Sequence, residues 1–258
     1  MDAPIVVNGA AGRMGRLVRE ALVEAGLGPV AGCTRRTRAD GIAPTSTGGD
    51  LRATVAVGGV IVDFSHASAT EDLVAAAEAR GARLVIGTTG QSEAQLDRLR
   101  RAAERVAMVL SSNFSLGIQR ILQLLPAMRV LLEDGFDIEG LEMHHRAKRD
   151  APSGTARALL EALLGGSSTA PRVHGRVGAE SRRQAGEIGV HSVRLGGVVG
   201  DHALLFASDH ELVEIRHRAL DRAAFVSGVV PAVRFVRDRA PGMYSMLDVM
   251  RDAAVPSP

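Results

Sequence analysis

Residues 5–15, IVVNGAAGRMG, decide the fold. Ile5 to Asn8 form a short apolar run that reads as a buried strand. Gly9, Gly12 and Gly15 follow in G-x-x-G-x-x-G spacing. Residues 16–25 then carry helical spacing, with Leu17, Leu22 and Val23 at the apolar positions. Strand, glycine turn and helix in that order suit a pyrophosphate. Glycines let the backbone come close, and N–H groups at the helix start face the anion. The same three parts also build an ordinary strand-to-helix turn, so the spacing needs its surroundings to mean more.

The surroundings repeat the rhythm. Strands are expected at residues 30–34, 60–64, 84–86 and 107–110, and helices at 69–80 and 92–106. Residues 35–49 are polar and rich in turn formers. The segments GTTG (87–90) and SSNFS (111–115) each stand just after a strand. Alternating strands and helices predict a doubly wound parallel sheet of Rossmann type, which binds ligands at the loops after its strands. An acid near the end of the second strand would hold the ribose of NAD. Here stand Arg35 and Arg36, with Arg38 nearby, a pattern that suits the 2′-phosphate of NADPH better than NADH. A surface pair of arginines is the plainer alternative in a chain this rich in Arg.

After Asn113 the pattern changes. A long apolar helix is expected over 116–132. Strand-like segments follow at 137–144, 191–195, 203–208 and 211–217, with one helix at 153–164 and a Gly/Ser/Arg-rich loop at 165–189. Clustered strands with few helices predict a second, α+β domain with a mixed sheet. Residues 223–237 are helical again. The expected domains are therefore 1–114, with 223–258 returning to it, and 115–222.

Composition narrows the function. The chain has 258 residues, 46% of them hydrophobic, and a formal net charge of +2. Aromatics make up only 3%, which disfavours stacking on nucleic-acid bases. No block of five or more Lys/Arg suggests a nucleic-acid or membrane patch. Cys33 is the only cysteine, so no intramolecular disulfide and no cysteine-based metal site can form. No apolar run approaches the ~20 residues that span a bilayer, and no secretory signal opens the chain. A cytoplasmic location is expected.

Chemistry concentrates in residues 144–156, HHRAKRDAPSGTA. Of 31 cationic residues, Lys148 is the single lysine. Arg is always charged, whereas Lys is a compact point charge that can give up a proton. Pro152 suits a first helical turn, so Ser153, Gly154 and Thr155 would offer N–H groups to a carboxylate, with Lys148 facing it from the preceding loop. His144 and His145 would point to opposite faces of a strand unless the strand ends there. A histidine can exchange a proton at working pH, but a single one is more often structural. A metal reading would use His144, His145 and Asp150. A helix-start anion site beside a lysine is a poor neighbour for a cation, and no metal site is assigned.

This stretch resembles the signature of the 4-hydroxy-tetrahydrodipicolinate reductase (dihydrodipicolinate reductase) family, which reads E-x-H-H-x-x-K-x-D-x-P-S-G-T here from Glu142. The resemblance extends to GAAGRMG, VDFSHA, GTTG, SSNFSLGI, VRLGGVVGDHALLF and LDRAAF, in order along nearly the whole chain. It implies reduction of a cyclic imine dicarboxylate by NADPH or NADH, on the route to diaminopimelate and lysine. It implies His144 as the acid/base group and Lys148 as the cationic proton donor or substrate binder. His145, Ser153, Gly154 and Thr155 would hold substrate carboxylates. Gly9, Ala10, Ala11, Gly12, Arg13 and Met14 would wrap the pyrophosphate. Gly87, Thr88 and Thr89, with Ser111, Ser112, Asn113 and Phe114, would line the nicotinamide. The second domain would bind substrate and build a homotetramer, with Arg222 near a hinge. Loop 165–189 matches the family least, and no site residue is assigned there.

Two other readings stay open. One is a dinucleotide-dependent dehydrogenase for a different carboxylate, such as an amino acid. The other is a nucleotide sensor on the same fold, which would need the glycine turn but not the His-His-Lys group.

Overall fold

The structure is a computed structural model and describes residues 4–33, 50–165 and 169–252. Arg35 and Arg36 lie outside these residues. The chain divides into two compact units, Met1–Ser115 with Phe225–Pro258, and Leu116–Ala224.

In the first unit the chain runs β1 (Ile5–Asn8), α1 (Arg13–Glu24), β2 (Val30–Cys33), α2 (Leu51–Thr54), β3 (Val60–Asp63), α3 (Thr70–Arg80), β4 (Arg83–Ile86), α4 (Glu93–Ala102) and β5 (Ala107–Leu110). Ile5, Val6 and Val7 are all buried, as are Val60, Ile61 and Val62. Runs buried on both faces belong to a parallel sheet covered by helices. Helix α1 begins three residues before the apolar spacing suggests, because Gly12 already serves as its N-cap. Ser92 caps α4 through a reciprocal pair with Gln95.

The second unit runs α5 (Leu116–Leu124), α6 (Val130–Glu133), β6 (Asp137–His144), α7 (Gly154–Leu164), β7 (Arg172–Val173), β8 (Ile188–Arg194), β9 (Gly200–Ala207) and β10 (Leu212–Ala219). The single helix expected over 116–132 is two helices and a short 3-10 turn. Pro126 lacks the N–H that a continuing helix needs and crowds the preceding turn. The sheet order is β10-β9-β6-β8-β7. β6 pairs β8 in parallel and β9 antiparallel, so the sheet is mixed. Along β6 the buried residues alternate: Ile138, Gly140, Glu142 and His144. They share the face against which Leu159, Leu160 and Leu163 of α7 pack with Phe206. Loop 165–189 holds β7 and is fastened to the sheet by ion pairs of Arg176 and Arg183 with Glu139, and of Arg176 with Glu187.

The chain then re-enters the first unit as α8 (Val229–Arg237), β11 (Gly242–Tyr244) and α9 (Met246–Asp252). Strand β11 completes a six-stranded parallel sheet of order β11-β5-β4-β3-β1-β2. From β1 the chain goes to β2 on one side and β3 on the other. The loops after β1 and β3 therefore meet at a switch point, where doubly wound sheets bind their ligands.

Candidate active site

In the second unit, His144 is the last residue of β6 and is 7% exposed. The strand ends there, which removes the bar to His144 and His145 serving one site. His145 O accepts the Lys148 N–H at 3.1 Å, turning the chain so that Lys148 returns toward the strand end. Lys148 Nζ lies 2.8 Å from Asp150 Oδ1, and this partner holds the Asp150 carboxyl below its ordinary range against the opposing effect of burial. Ser153 caps α7: its Oγ accepts the Ala156 N–H at 3.1 Å.

Beneath this loop sits Glu142, 1% exposed. Arg194 grips it with both Nη atoms, at 2.7 and 2.8 Å. His144 Nδ1 lies 2.5 Å from Glu142 Oε2, and the Ser153 N–H donates to Oε1 at 3.2 Å. Burial alone would raise the Glu142 pKa. Hydrogen bonds from Arg194, Ser192 and His144 outweigh it and bring the carboxyl to about 2. Arg194 Nη2 also donates to Asp150 O at 2.6 Å, tying the Lys148 loop to the same carboxylate. The Ser153 N–H, expected to face a ligand carboxylate, thus donates inward to Glu142. That leaves Gly154 and Thr155 as the helix-start residues next in line.

His202 completes the cluster from β9. Its Nε2 lies 3.0 Å from Ser153 Oγ, and its ring meets the His144 ring edge to face at 5.1 Å. Burial, with His144 beside it, depresses His202 to about 4. Burial likewise lowers His144, against the pull of Glu142 and aided by Lys148 and Arg194. Both imidazoles are therefore neutral at neutral pH.

In the first unit the glycine turn is built as its spacing suggests, but its N–H groups are divided. Gly9 and Ala10 both donate to Cys33 O, at 2.9 and 3.2 Å, and Gly12 donates to Gly9 O at 2.8 Å. These bonds hold the turn, so the N–H groups available to an anion begin at Arg13 and Met14, in the first turn of α1. Gly9 has φ +82°, and a Cβ there would lie 2.5 Å from Phe64 O. A Cβ on Gly15 would lie 2.2 Å from Gly9 O, and one on Gly87 would lie 2.3 Å from the Phe64 ring. Asp63, 3% exposed at the end of β3, accepts from Asn8 Nδ2 at 2.8 Å and Ser65 Oγ at 2.6 Å. Its backbone carbonyl accepts the N–H groups of Gly87 and Thr88. Thr88 Oγ1 accepts the Ser65 N–H at 2.9 Å. Ser111 Oγ bonds Asn113 O, and Phe114, fully buried, packs on Phe64 with ring centroids 5.6 Å apart. The first unit thus gathers Gly9–Met14, Gly87–Thr88 and Ser111–Phe114 on the carboxyl ends of its parallel strands. The second unit gathers His144, Lys148 and Ser153.

Residues 3–114 match the family model described as dihydrodipicolinate reductase, N-terminus, and residues 117–250 match its C-terminus. The chain belongs to the dihydrodipicolinate reductase family. It is 39% identical over 265 residues to a 4-hydroxy-tetrahydrodipicolinate reductase of Alkalilimnicola ehrlichii, covering 97% of this chain and 99% of that protein. It is 41% identical over 249 residues to one of Akkermansia muciniphila, covering 95% and 97%. The fold is that of the dipicolinate-bound dihydrodipicolinate reductase from Paenisporosarcina sp. TG-14, at TM-score 0.68 and 22% identity, covering 95% of this chain and 98% of that one.

Dihydrodipicolinate reductase signature residues thus account for His144, Lys148 and Ser153 by contiguity. Glu142, Arg194 and His202 received no role from the sequence, although the quoted motifs contain all three. Arg194 and His202 reach the site only through pairing: Arg194 stands opposite His144 in β8, and His202 opposite Glu142 in β9.

Proposed function

We propose that this chain reduces 4-hydroxy-tetrahydrodipicolinate to tetrahydrodipicolinate, with loss of water, on the route to diaminopimelate and lysine. The observation that carries the proposal is the junction in the second unit. There His144, Lys148 and the start of α7 converge within one turn of chain. Together they offer a proton-exchanging group, a cation and helix-start N–H groups, the three things a cyclic imine dicarboxylate asks of a reductase site.

The first unit suits a dinucleotide. Gly9, Gly15 and Gly87 leave no room for a Cβ, α1 has no side-chain cap and no acid in its first turn, and the loops after β1, β3, β4 and β5 stand together. The N–H groups of Arg13 and Met14 would hold the pyrophosphate, with Gly12 as the N-cap beside it. Gly87 to Thr89 and Ser111 to Phe114 would hold the nicotinamide ring. A bound reduced nicotinamide supplies hydride. The protein's own work lies in the second unit. As negative charge develops on the substrate ring, the Lys148 ammonium offsets it, and His144 exchanges the proton that completes the reduction. At rest Lys148 is paired with Asp150, so an arriving carboxylate would take over that ion pair. His145, Gly154 and Thr155 would hold the substrate's carboxylates. NADPH is the proposed reductant in preference to NADH, on the strength of Arg35 and Arg36. A cytoplasmic homotetramer, assembled through the second unit, is the proposed working form.

The test is oxidation of NADPH and of NADH, followed by absorbance, with substrate generated in situ from pyruvate and aspartate semialdehyde by a coupling synthase. Wild type should oxidise NADPH faster than NADH. Lys148→Ala should lose roughly 10²–10⁴-fold in kcat/KM for substrate while still binding NADPH. Cofactor binding with no turnover by wild type would overturn the reading in favour of a sensor or a dehydrogenase of another substrate.

A further inference from the structure

We propose that Glu142 is a positioning residue of the reaction, fixing which nitrogen of His144 exchanges the proton. The inference rests on the reading of His144 as the acid/base group. It follows from geometry, because a carboxylate can only accept. With Glu142 Oε2 2.5 Å from Nδ1, the His144 proton must sit on Nδ1 and point inward. Nε2 then carries the lone pair and is the nitrogen left to meet a bound molecule. A proton acquired at Nε2 gives an imidazolium held at Nδ1 by Glu142, and that same Nε2 proton is the one passed to the substrate. The ring cannot turn over without exchanging its only carboxylate contact for none.

Glu142 performs this only as an anion, and its environment keeps it one. The two Nη atoms of Arg194 occupy both carboxylate oxygens, and the Ser153 N–H adds a third donor from the start of α7. The groups facing His144 are then complete from each element around it: Glu142 on its own strand, Arg194 on β8, His202 on β9, and Lys148 on the following loop. Three of these four are cationic or neutral and none accepts at Nδ1. Tautomer choice therefore falls to Glu142 alone. Arg194 links this carboxylate to Asp150 O, so one buried acid orients the imidazole and braces the loop that carries Lys148.

The decisive variant is Glu142→Gln, which keeps shape and can keep an acceptor for Arg194 while presenting an NH2 to His144. An NH2 facing Nδ1 demands a lone pair there and moves the proton to Nε2. Histidine labelled with 15N distinguishes the two tautomers by chemical shift, with His144→Asn used to assign the signal. Wild type is expected to show Nδ1–H at neutral pH, and Glu142→Gln to show Nε2–H. In the variant kcat should fall by roughly 10⁴-fold with NADPH affinity unchanged, the scale set by a wrong-tautomer catalytic histidine. A purely structural role would lower stability without moving the proton. A wild type that turns over, beside a Glu142→Gln that keeps the Nδ1–H tautomer and comparable kcat, overturns the inference alone. A wild type found as Nε2–H overturns it without recourse to the variant, should Glu142→Gln fail to fold. A wild type inactive on the cyclic imine removes the proposed function and this inference together, and the wild-type assay tells that case apart.

Discussion

Each unit buries one carboxylate near the carboxyl end of a strand, and the two are treated in opposite ways. Asp63 in the first unit meets only neutral donors, and burial outweighs the hydrogen bonds of Ser65, Thr88 and Asn8 to raise its pKa. Glu142 in the second unit meets a guanidinium, an imidazole and two serines, which outweigh burial and lower its pKa to about 2. Desolvation opposes charge in both, and the presence of a fixed cation decides the sign. The difference matches what each unit is built to hold. Around Asp63 the architecture is backbone: glycines, N–H groups and carbonyls at strand ends, suited to an anion that brings its own charge. Around Glu142 it is side chain: a charged network that orients a proton-exchanging group.

The largest test of this contrast is Arg194→Ala. Removing the guanidinium leaves a fully buried anion with neutral donors, which is the situation of Asp63 imposed on Glu142. Breaking a buried pair on one side costs about 3–5 kcal/mol, and thermal unfolding should show a loss of that order. The pH dependence has a definite sign. In wild type the folded pKa of Glu142 lies below its ordinary 4.5, so its contribution is complete above about 4.5 and is lost as pH falls toward 2. In Arg194→Ala the folded pKa rises above that ordinary value, as at Asp63, so the sign reverses: the acid-side loss due to Glu142 should disappear, and acidification should restore part of the stability lost at neutral pH. An unchanged acid limb in the variant would mean that Arg194 is not what keeps Glu142 charged.

A smaller effect probes the backbone-built side. Gly15→Ala places a Cβ 2.2 Å from Gly9 O, a backbone atom that cannot step aside. A loss of about 2–3 kcal/mol in stability is expected, with NADPH binding abolished. Gly12→Ala places its Cβ 3.0 Å from the same oxygen with an ordinary φ of −71°, and should cost under about 1 kcal/mol. Equal effects of the two substitutions, measured by thermal unfolding and NADPH fluorescence, would break the claim that steric closeness alone selects glycine here.

These two kinds of architecture also explain what could be read from the sequence. Gly9, Gly12 and Gly15 are contiguous, and so are His144, Lys148 and Ser153, so local spacing exposes them. Glycine reports a steric demand made by its immediate neighbours. The register that brings Arg194 and His202 to Glu142 is a property of strand pairing across 52 and 60 residues, and nothing within β8 or β9 declares it. The direction of the Ser153, Gly9 and Ala10 N–H groups was hidden for the same reason: each donates to an acceptor in another part of the chain. The overextended helix over 116–132 had a local cause. Apolar spacing runs through 116–132, but Pro126 cannot continue a helix and interrupts it.

Asp63→Asn carries the smallest expected effect and the sharpest sign. The folded pKa of Asp63 is raised, so the folded state binds its proton more tightly than the unfolded chain. The stabilisation this brings is present below the ordinary 3.8 and is lost as pH rises through the folded value. At neutral pH the charge opposes folding. Asparagine keeps an acceptor for Asn8 and Ser65 and carries no charge at any pH. The variant should therefore match wild type at neutral pH or exceed it by up to about 1 kcal/mol, with the advantage shrinking on acidification. Glu142→Gln, the same isosteric removal of one charge, should move stability the other way, because it leaves Arg194 without its counter-charge. A destabilised Asp63→Asn at neutral pH would mean that a cation holds Asp63 ionised after all, and the two carboxylates would then be built alike.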